Sequence, residues 1–283
     1  MKTKKLNIKD PKPGIYFDVS FDDYIDIDAV NNSTLKMLVD LSPAHCKHYI
    51  EHGRPETKAL AFGSLADCYI LEPLRFYDKY IVGPEEHKNT KIWKQFVADN
   101  PNKEAIKQAD LDACIAIYNK ISVSPSMRLL SGGFSQTVCL WIDEPTGLLC
   151  KSRQDYLNLN ICLITDLKTT QSSNPFWFSK DIYKYKYHTQ AAFYIDGMMI
   201  ATKEPEWAFA FFCVEKVEPF VNSAFQLGEK SIEAGRVMYR KALDKYADCL
   251  KTGQWPPYQE EITMIEIPAW ELDKLGMGKH NQF

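Results

Sequence analysis

Residues 151–170 read KSRQDYLNLNICLITDLKTT, and the placing of charge in this stretch decides the fold. Successive side chains of a strand point to opposite faces. On a strand running from Ile161 to Lys168, Asp166 and Lys168 share one face and Leu167 points into the core behind them. On the preceding strand Lys151, Arg153 and Asp155 share a face in the same way. If the two strands are sheet neighbours, two carboxylates and a lysine converge at one spot. Such a set suits hydrolysis of a phosphodiester. The carboxylates can hold one or two hard cations such as Mg²⁺, with Mn²⁺ as a substitute. The cations activate water and stabilise charge on the attacking and leaving oxygens. The lysine can orient or deprotonate the water and offset phosphate charge.

The spacing D-x10-D-x-K arises often by chance, so its surroundings matter. Asp166 and Lys168 close an apolar run, ICLIT, where charge is costly unless something uses it. Thr169 and Thr170 follow, and can bond phosphate or cap the next turn. A second group is Tyr187-His188-x-Gln190-x-x-x-Tyr194, in which Gln190 and Tyr194 stack on one helix face. Upstream, Lys180, Lys184 and Lys186 interleave with Phe176, Trp177, Phe178, Tyr183, Tyr185 and Tyr187. That stretch suits a surface gripping a phosphate backbone and stacking on bases. An aromatic core helix with snorkelling lysines accounts for it equally well. Lys151, Arg153, Thr169, Thr170, Lys184, Lys186 and His188 are the candidate DNA contacts. A third group is FGSLADC, where Asp67 is a charge amid apolar neighbours, either a third metal ligand or an exposed helix position. His45, His48 and His52 form one helical stripe, which reads as a solvated face in preference to a metal site. No Ser, Cys or His nucleophile arrangement and no Walker-type loop stands out.

Outward from the decisive stretch, Thr137 to Ile142, a turn at Glu144-Pro145-Thr146-Gly147 and Leu148 to Leu157 form a hairpin. Tyr187 to Ala201 is a helix, Trp207 to Val217 and Val221 to Leu227 a strand pair, and Glu229 to Leu250 a long helix ending near Gly253. Ile262 to Pro268 reads as an edge strand. Before the hairpin, Gly14 to Asp18 is a short strand. Asn32 or Ser33 caps a helix through Leu35 and Val39, and Ser42-Pro43 restarts one that stops at Gly53. Ala59 to Leu71 is a buried helix closed by Glu72-Pro73. Residues 83–103 are a loop holding a short helix, and Glu104 to Ile121 is one amphipathic helix. The order predicts an α/β fold, a mixed central sheet flanked by helices, in one domain. Residues 1–13 read as a flexible lead, 14–130 as a mainly helical part and 131–270 as the sheet core within a domain over 14–283.

The 283 residues suffice for a substantial core, and the 45% hydrophobic and 25% charged composition is that of a globular protein. No window approaches the roughly 20 apolar residues of a membrane span, and MKTKKLNIKDPKPG has no apolar region of the secretory kind, so a cytoplasmic location is expected. Eight scattered cysteines, none in a C-x-x-C pair, argue for free thiols and against a zinc ribbon or iron–sulfur cluster. The net charge of −3 gives no global basic surface, so DNA binding needs a local basic patch, bound cations or both.

Taken together, these residues resemble the RecE-like exonucleases. These are phage- and prophage-type members of the PD-(D/E)XK superfamily, related to the RecB nuclease domain and to lambda exonuclease. The resemblance runs from about Ser33 to Trp270, through NNSTLKMLVDLSPAH, FGSLADCYILEP, WIDEPTGLLCKSRQD, ITDLKTT, YKYHTQAAFYIDG and IEIPAW in order. It implies metal binding by Asp155, Asp166 and the Leu167 carbonyl, catalytic help from Lys168, and support of the site or DNA by Gln190 and Tyr194. It also implies digestion of linear duplex DNA from the 5′ end, leaving 3′ single strands for an annealing partner. A homo-oligomer, a ring among its forms, in a bacterial or phage-infected cell is implied as well. Two positions depart from the family pattern. Asp67 stands where relatives carry His, and Arg153-Gln154-Asp155 replaces R-P-D, with Gln154 expected to point away from the site. Some relatives carry a long N-terminal extension, and this chain reads as the nuclease domain by itself. Two alternatives share these residues: a catalytically weakened DNA-end-binding module that recruits an annealing protein, and a structure-specific endonuclease.

Overall fold

The computed structural model describes residues 6–277 except 54 and 56. Residues 1–5 of the expected lead and 278–283 of the expected domain lie outside the described residues. The N-terminal part holds β1 (Gly14–Tyr16), α1 (Phe21–Asp26), α2 (Asn32–Asp40), α3 (Pro43–His52), α4 (Lys58–Leu71), α5 (Pro73–Lys79), β2 (Tyr80–Val82), α6 (Lys91–Asp99), β3 (Glu104–Ile106) and α7 (Gln108–Ser122). There follow β4 (Phe134–Asp143), β5 (Leu148–Asn158), β6 (Leu163–Thr170), α8 (Pro175–Lys184), α9 (Tyr187–Thr202), β7 (Ala208–Glu215), β8 (Asn222–Gln226), α10 (Glu229–Thr252) and α11 (Ala269–Lys274).

Six strands make one mixed sheet in the order β1-β4-β5-β6-β7-β8. The pair β6–β7 is parallel, and α8 and α9 form the crossover between them; the other pairs are antiparallel. Burial on both faces explains the apolar strands. On one face Trp141, Ile164, Phe209 and Phe211 pack against Phe193 of α9, Leu243 of α10 and Leu35 of α2. On the other, Leu167, Phe212 and Val214 pack against Ile70 of α4 and Ile117 and Ile121 of α7. Each of these fully buried side chains is worth about 1.5–3 kcal/mol of transfer free energy. Two glycines set the helix spacing. A Cβ on Gly235 of α10 would stand 2.1 Å from the His188 carbonyl oxygen of α9, and one on Gly197 of α9 would stand 2.7 Å from the Trp141 ring. Only bare backbone lets α10, α9 and β4 approach so closely.

The hairpin, the β6 strand, α9, the β7–β8 pair and α10 lie where the sequence pattern puts them. Elsewhere the chain differs from the pattern. Glu104 to Ile106 is no part of a helix: it pairs in parallel with β2, buries Ile106 beside Tyr80 and Leu111, and the helix starts only at Gln108. Pro73 does not merely close α4, for it is the first residue of α5, where its missing N–H costs nothing. The cap of α2 is Asn31, which accepts the Thr34 N–H at 2.9 Å. Ile262 to Pro268 joins no ladder; Ile262, Met264 and Ile265 are exposed. Residues 6–13 are tied down in part, since Leu6 packs on the cluster of Tyr16 and Val138, and the Tyr16 hydroxyl donates to the Lys12 carbonyl at 2.8 Å. All eight cysteines are free and seven are buried. Among the described residues no helix is long and apolar enough to cross a membrane.

Candidate active site

Neighbouring strands β5 and β6 hydrogen-bond only where residues 156–158 face 163–165. Beyond that point they part. The freed edge of β5 is taken up again by Val30, whose N–H donates to the Leu149 carbonyl and whose carbonyl accepts the Lys151 N–H. Arg153 and Asp155 sit between that bridge and the ladder, so the gap opens a cleft in the sheet beside Asp166. The Leu167 N–H, left without a strand partner on this side, donates to Asp155 Oδ2 at 2.9 Å. Asp166 forms the floor at 2% exposure. Its Oδ1 accepts from Gln190 Nε2 at 2.6 Å, and its Oδ2 meets the Lys168 ammonium. The Lys168 ammonium also lies 5.0 Å from the centre of the Tyr187 ring, while 20% of its side chain stays open to solvent. Gln190 and Tyr194 rise from the same face of α9, and Asp67 comes in from α4.

The electrostatics are those of too many carboxylates for the cations present. Burial, and then the Asp166 carboxylate, push Asp155 up to about 7 against the pull of Lys168 and the Leu167 N–H. Burial and Asp155 drive Asp67 well above the usual carboxylate range, with Lys168 opposing. Burial works against the charge on Lys168, but Asp166 and Asp155 outweigh it and hold the ammonium protonated above the ordinary lysine value. Burial and the same two carboxylates keep the Tyr194 hydroxyl protonated. A bound divalent cation would reverse the balance at these acids. The donor chemistry fits a hard cation: carboxylate oxygens, with the Leu167 carbonyl in the same strand. Among the described residues no three His, Cys, Asp or Glu side chains stand close enough together to hold an ion as they are.

The structure thus brings Asp155, Asp166, Lys168, Gln190 and Tyr194 together and, of the two readings open for Asp67, sets it half-buried beside them; Gln154 faces away, fully buried, with its amide on Ser152 Oγ at 2.7 Å. Arg153 lines the cleft, 3.6 Å from Glu72 and over the Phe21 ring. Thr169 is half-buried where β6 meets α4 near Gly63. Lys184 is exposed. Lys186 holds a left-handed backbone, φ 57°, at the start of α9, with its ammonium 3.6 Å from Asp40. Three candidate DNA contacts are corrected. Lys151 is 3% exposed, and its ammonium donates to the carbonyls of Tyr24, Ile25 and Ile27 at 2.7–3.0 Å, closing the C-terminal end of α1. His188 is buried between the Ile182 carbonyl and Met238 Sδ, and burial lowers its pKa. Thr170 is 7% exposed and spends its hydroxyl on the Ser172 carbonyl. Glu72 and Tyr187 were the contacts hardest to foresee. Glu72 reads as a helix terminator, and the Tyr187 ring shows its place only once β6 and α9 are packed. A broad groove lined by Cys162, Trp207 and Arg236 lies at the opposite ends of β6 and β7 and holds none of these residues.

No curated protein matches the sequence. Among solved structures, the chain resembles a protein from Eubacterium rectale described as a candidate exonuclease, with a TM-score of 0.59 at 16% identity over 87% of this chain and 92% of that one. At that identity the likeness speaks for the fold. An alkaline exonuclease from Laribacter hongkongensis aligns with a TM-score of 0.26 at 15% identity over 59% of this chain and 87% of that one. The family model described as a PDDEXK-like domain of unknown function (DUF3799) matches residues 32–268, and the chain belongs to that family.

Proposed function

We propose that the protein is a metal-dependent exodeoxyribonuclease that digests linear duplex DNA, 5′ to 3′, and leaves 3′ single strands for an annealing partner in recombination. The observation that carries this is the parting of β5 from β6, which sets Asp155, Asp166 and Lys168 in one cleft of a PDDEXK-like core. A Mg²⁺ or Mn²⁺ ion held by Asp155, Asp166 and the Leu167 carbonyl, with Asp67 beside them, would supply Lewis-acid stabilisation of charge building on the phosphate and a more acidic water. Asp166 and Asp155 favour the protonated Lys168, and in that state it would fix the scissile phosphate or the attacking water and offset negative charge. Gln190 holds Asp166 in one orientation. Arg153 and Lys184 are the candidate DNA contacts whose side chains the fold leaves at the cleft and on the surface. Assembly into a homo-oligomer and work in the cytoplasm of a bacterial host belong to the same proposal.

The test is linear duplex labelled at either the 5′ or the 3′ end, incubated with Mg²⁺ or Mn²⁺, with closed circular DNA and Lys168→Ala as controls. Early release of the 5′ label, dependent on metal and Lys168 and absent on circles, is the expected result. Cutting of circles would replace the exonuclease with an endonuclease. Retention of DNA ends without degradation in either metal would leave a binding module, the outcome that Asp67 in place of His makes worth measuring.

A further inference from the structure

We infer that the aromatic rings and lysines running from Lys168 out along α8 form a track for one unpaired nucleic-acid strand. The inference rests on the nuclease reading of the cleft and adds the state of the DNA that the cleft takes. The track starts at the reacting centre, where the Tyr187 ring lies 5.0 Å from the Lys168 ammonium. The Tyr185 ring follows, 5.6 Å from Tyr187 between centres. Two ammonium groups approach Tyr185, Lys184 at 5.0 Å and Lys36 at 5.7 Å. Farther out Lys186 stands 4.5 Å over Tyr183, and Lys180 stands 4.2 Å over Phe176 and 4.3 Å over Trp177.

Tyr187 packs on the core against Phe178 and Phe211, but packing does not account for the outer rings. Helix α8 already buries Phe178, at 1% exposure, and lays Ile182 against the core. Its outer rings are left in water: Phe176 is 60% exposed, Trp177 53% and Tyr183 70%. An amphipathic helix of ten residues needs no aromatics on that side. The local charge points the same way. Residues 175–187 carry Lys180, Lys184 and Lys186 against one acid, Asp181, in a chain whose net charge is −3. Asp181 is turned toward Thr170. Repeated pairs of a flat ring and a cation match the repeat of a strand, base and phosphate. The match holds for an unpaired strand only, because stacking inside a duplex covers the base faces that a ring would meet. Beginning at Lys168, the track would take the strand that has been separated from its complement at the cleft.

Fluorescence anisotropy with the Lys168→Ala protein, which keeps the DNA whole, tests this. The probes are a labelled single-stranded oligonucleotide and a blunt duplex of the same sequence. Replacing Trp177 and Tyr183 together by Ala should weaken single-strand binding by about tenfold or more and leave duplex binding within about twofold. Replacing Lys180 and Lys184 by Ala should weaken single-strand binding and flatten its dependence on salt. Equal losses for both probes, or single-strand binding unchanged in the aromatic variant, would overturn the track; in the second case the face is left for a protein partner. The two readings fail separately. A wild-type chain that cuts nothing but binds single strands through Trp177 and Tyr183 ends the nuclease and keeps the track. An active nuclease indifferent to those rings does the reverse.

Discussion

At the scale of the residue, the cleft depends on one amide. Gln190 Nε2 donates to Asp166 Oδ1 at 2.6 Å and fixes a carboxylate that has lost nearly all contact with water. Gln190→Leu should lower nuclease activity and Mn²⁺ affinity by about 10–100-fold, the usual cost of losing a group that orients a ligand. Titration calorimetry with Mn²⁺ and end-label release check it. An activity loss with metal affinity intact would mean that Gln190 handles the DNA instead. Lys151 makes the contrasting case of a lysine on β5, the strand of Asp155, with no chemistry to do. Its ammonium satisfies three carbonyls at the end of α1, and a neutral side chain would leave them buried and unpaired. Lys151→Met should therefore cost about 3 kcal/mol in urea unfolding, since unsatisfied buried groups cost about 1–3 kcal/mol each and some relaxation is expected. A loss below ~1 kcal/mol would show the turn after α1 finding other partners.

At the scale of the element, the site is held by what ties α9 and α10 to the sheet. Arg236 and Tyr239 of α10 both bond Asp196 of α9, and Arg240 of α10 makes two bonds, at 2.6 and 3.0 Å, to Asp143 at the end of β4. Burial raises the Asp143 carboxyl, but Arg240 and Thr146 outweigh it and hold it below the usual carboxylate value. A depressed folded-state pKa gives stability that is present above the unfolded value of about 4 and lost as pH falls through the folded one. Asp143→Asn should be less stable by about 2 kcal/mol at pH 7, and the gap should begin to narrow below about pH 4 and go on narrowing as pH falls through the folded value. Urea titrations of both proteins at pH 7 and 3.5 decide this; an equal gap at both would remove the ion pair from the account. Elements with a strong pattern were legible in the sequence. The hairpin turn, the β6 run and the period of α10 each carry their own signal. Elements made by distant partners were not. Segment 104–106 has helical surroundings, and only its pairing with 80–82 makes it a strand. Residues 262–268 have strand composition and no strand to pair with among the described residues.

At the scale of the whole molecule, the same division holds for the site. The face shared by Asp166 and Lys168 follows from alternation along one strand. The splay of β5 from β6, the approach of Asp67 from α4 and the burial of Lys151 and His188 follow from three-dimensional packing that no local spacing encodes. Charge is also a property of the whole. The chain is net negative, and three carboxylates crowd the cleft where a polyanion would have to enter. Lys168 cannot neutralise them all. Duplex binding should therefore depend on a divalent cation more steeply than ionic strength explains. With the Lys168→Ala protein and a blunt duplex at fixed ionic strength, replacing EDTA and NaCl by Mg²⁺ should tighten binding by about tenfold, opposite to the weakening that added salt gives to phosphate contacts made by lysine and arginine alone. Asp155→Asn combined with Asp166→Asn should bind duplex in EDTA about as well as the parent does in Mg²⁺, because removing the negative charge of these carboxylates does electrostatically what a bound cation would do. Equal binding of the parent in Mg²⁺ and EDTA would mean that DNA is held wholly outside the cleft, on surfaces such as α8, and reaches the carboxylates only after it is bound.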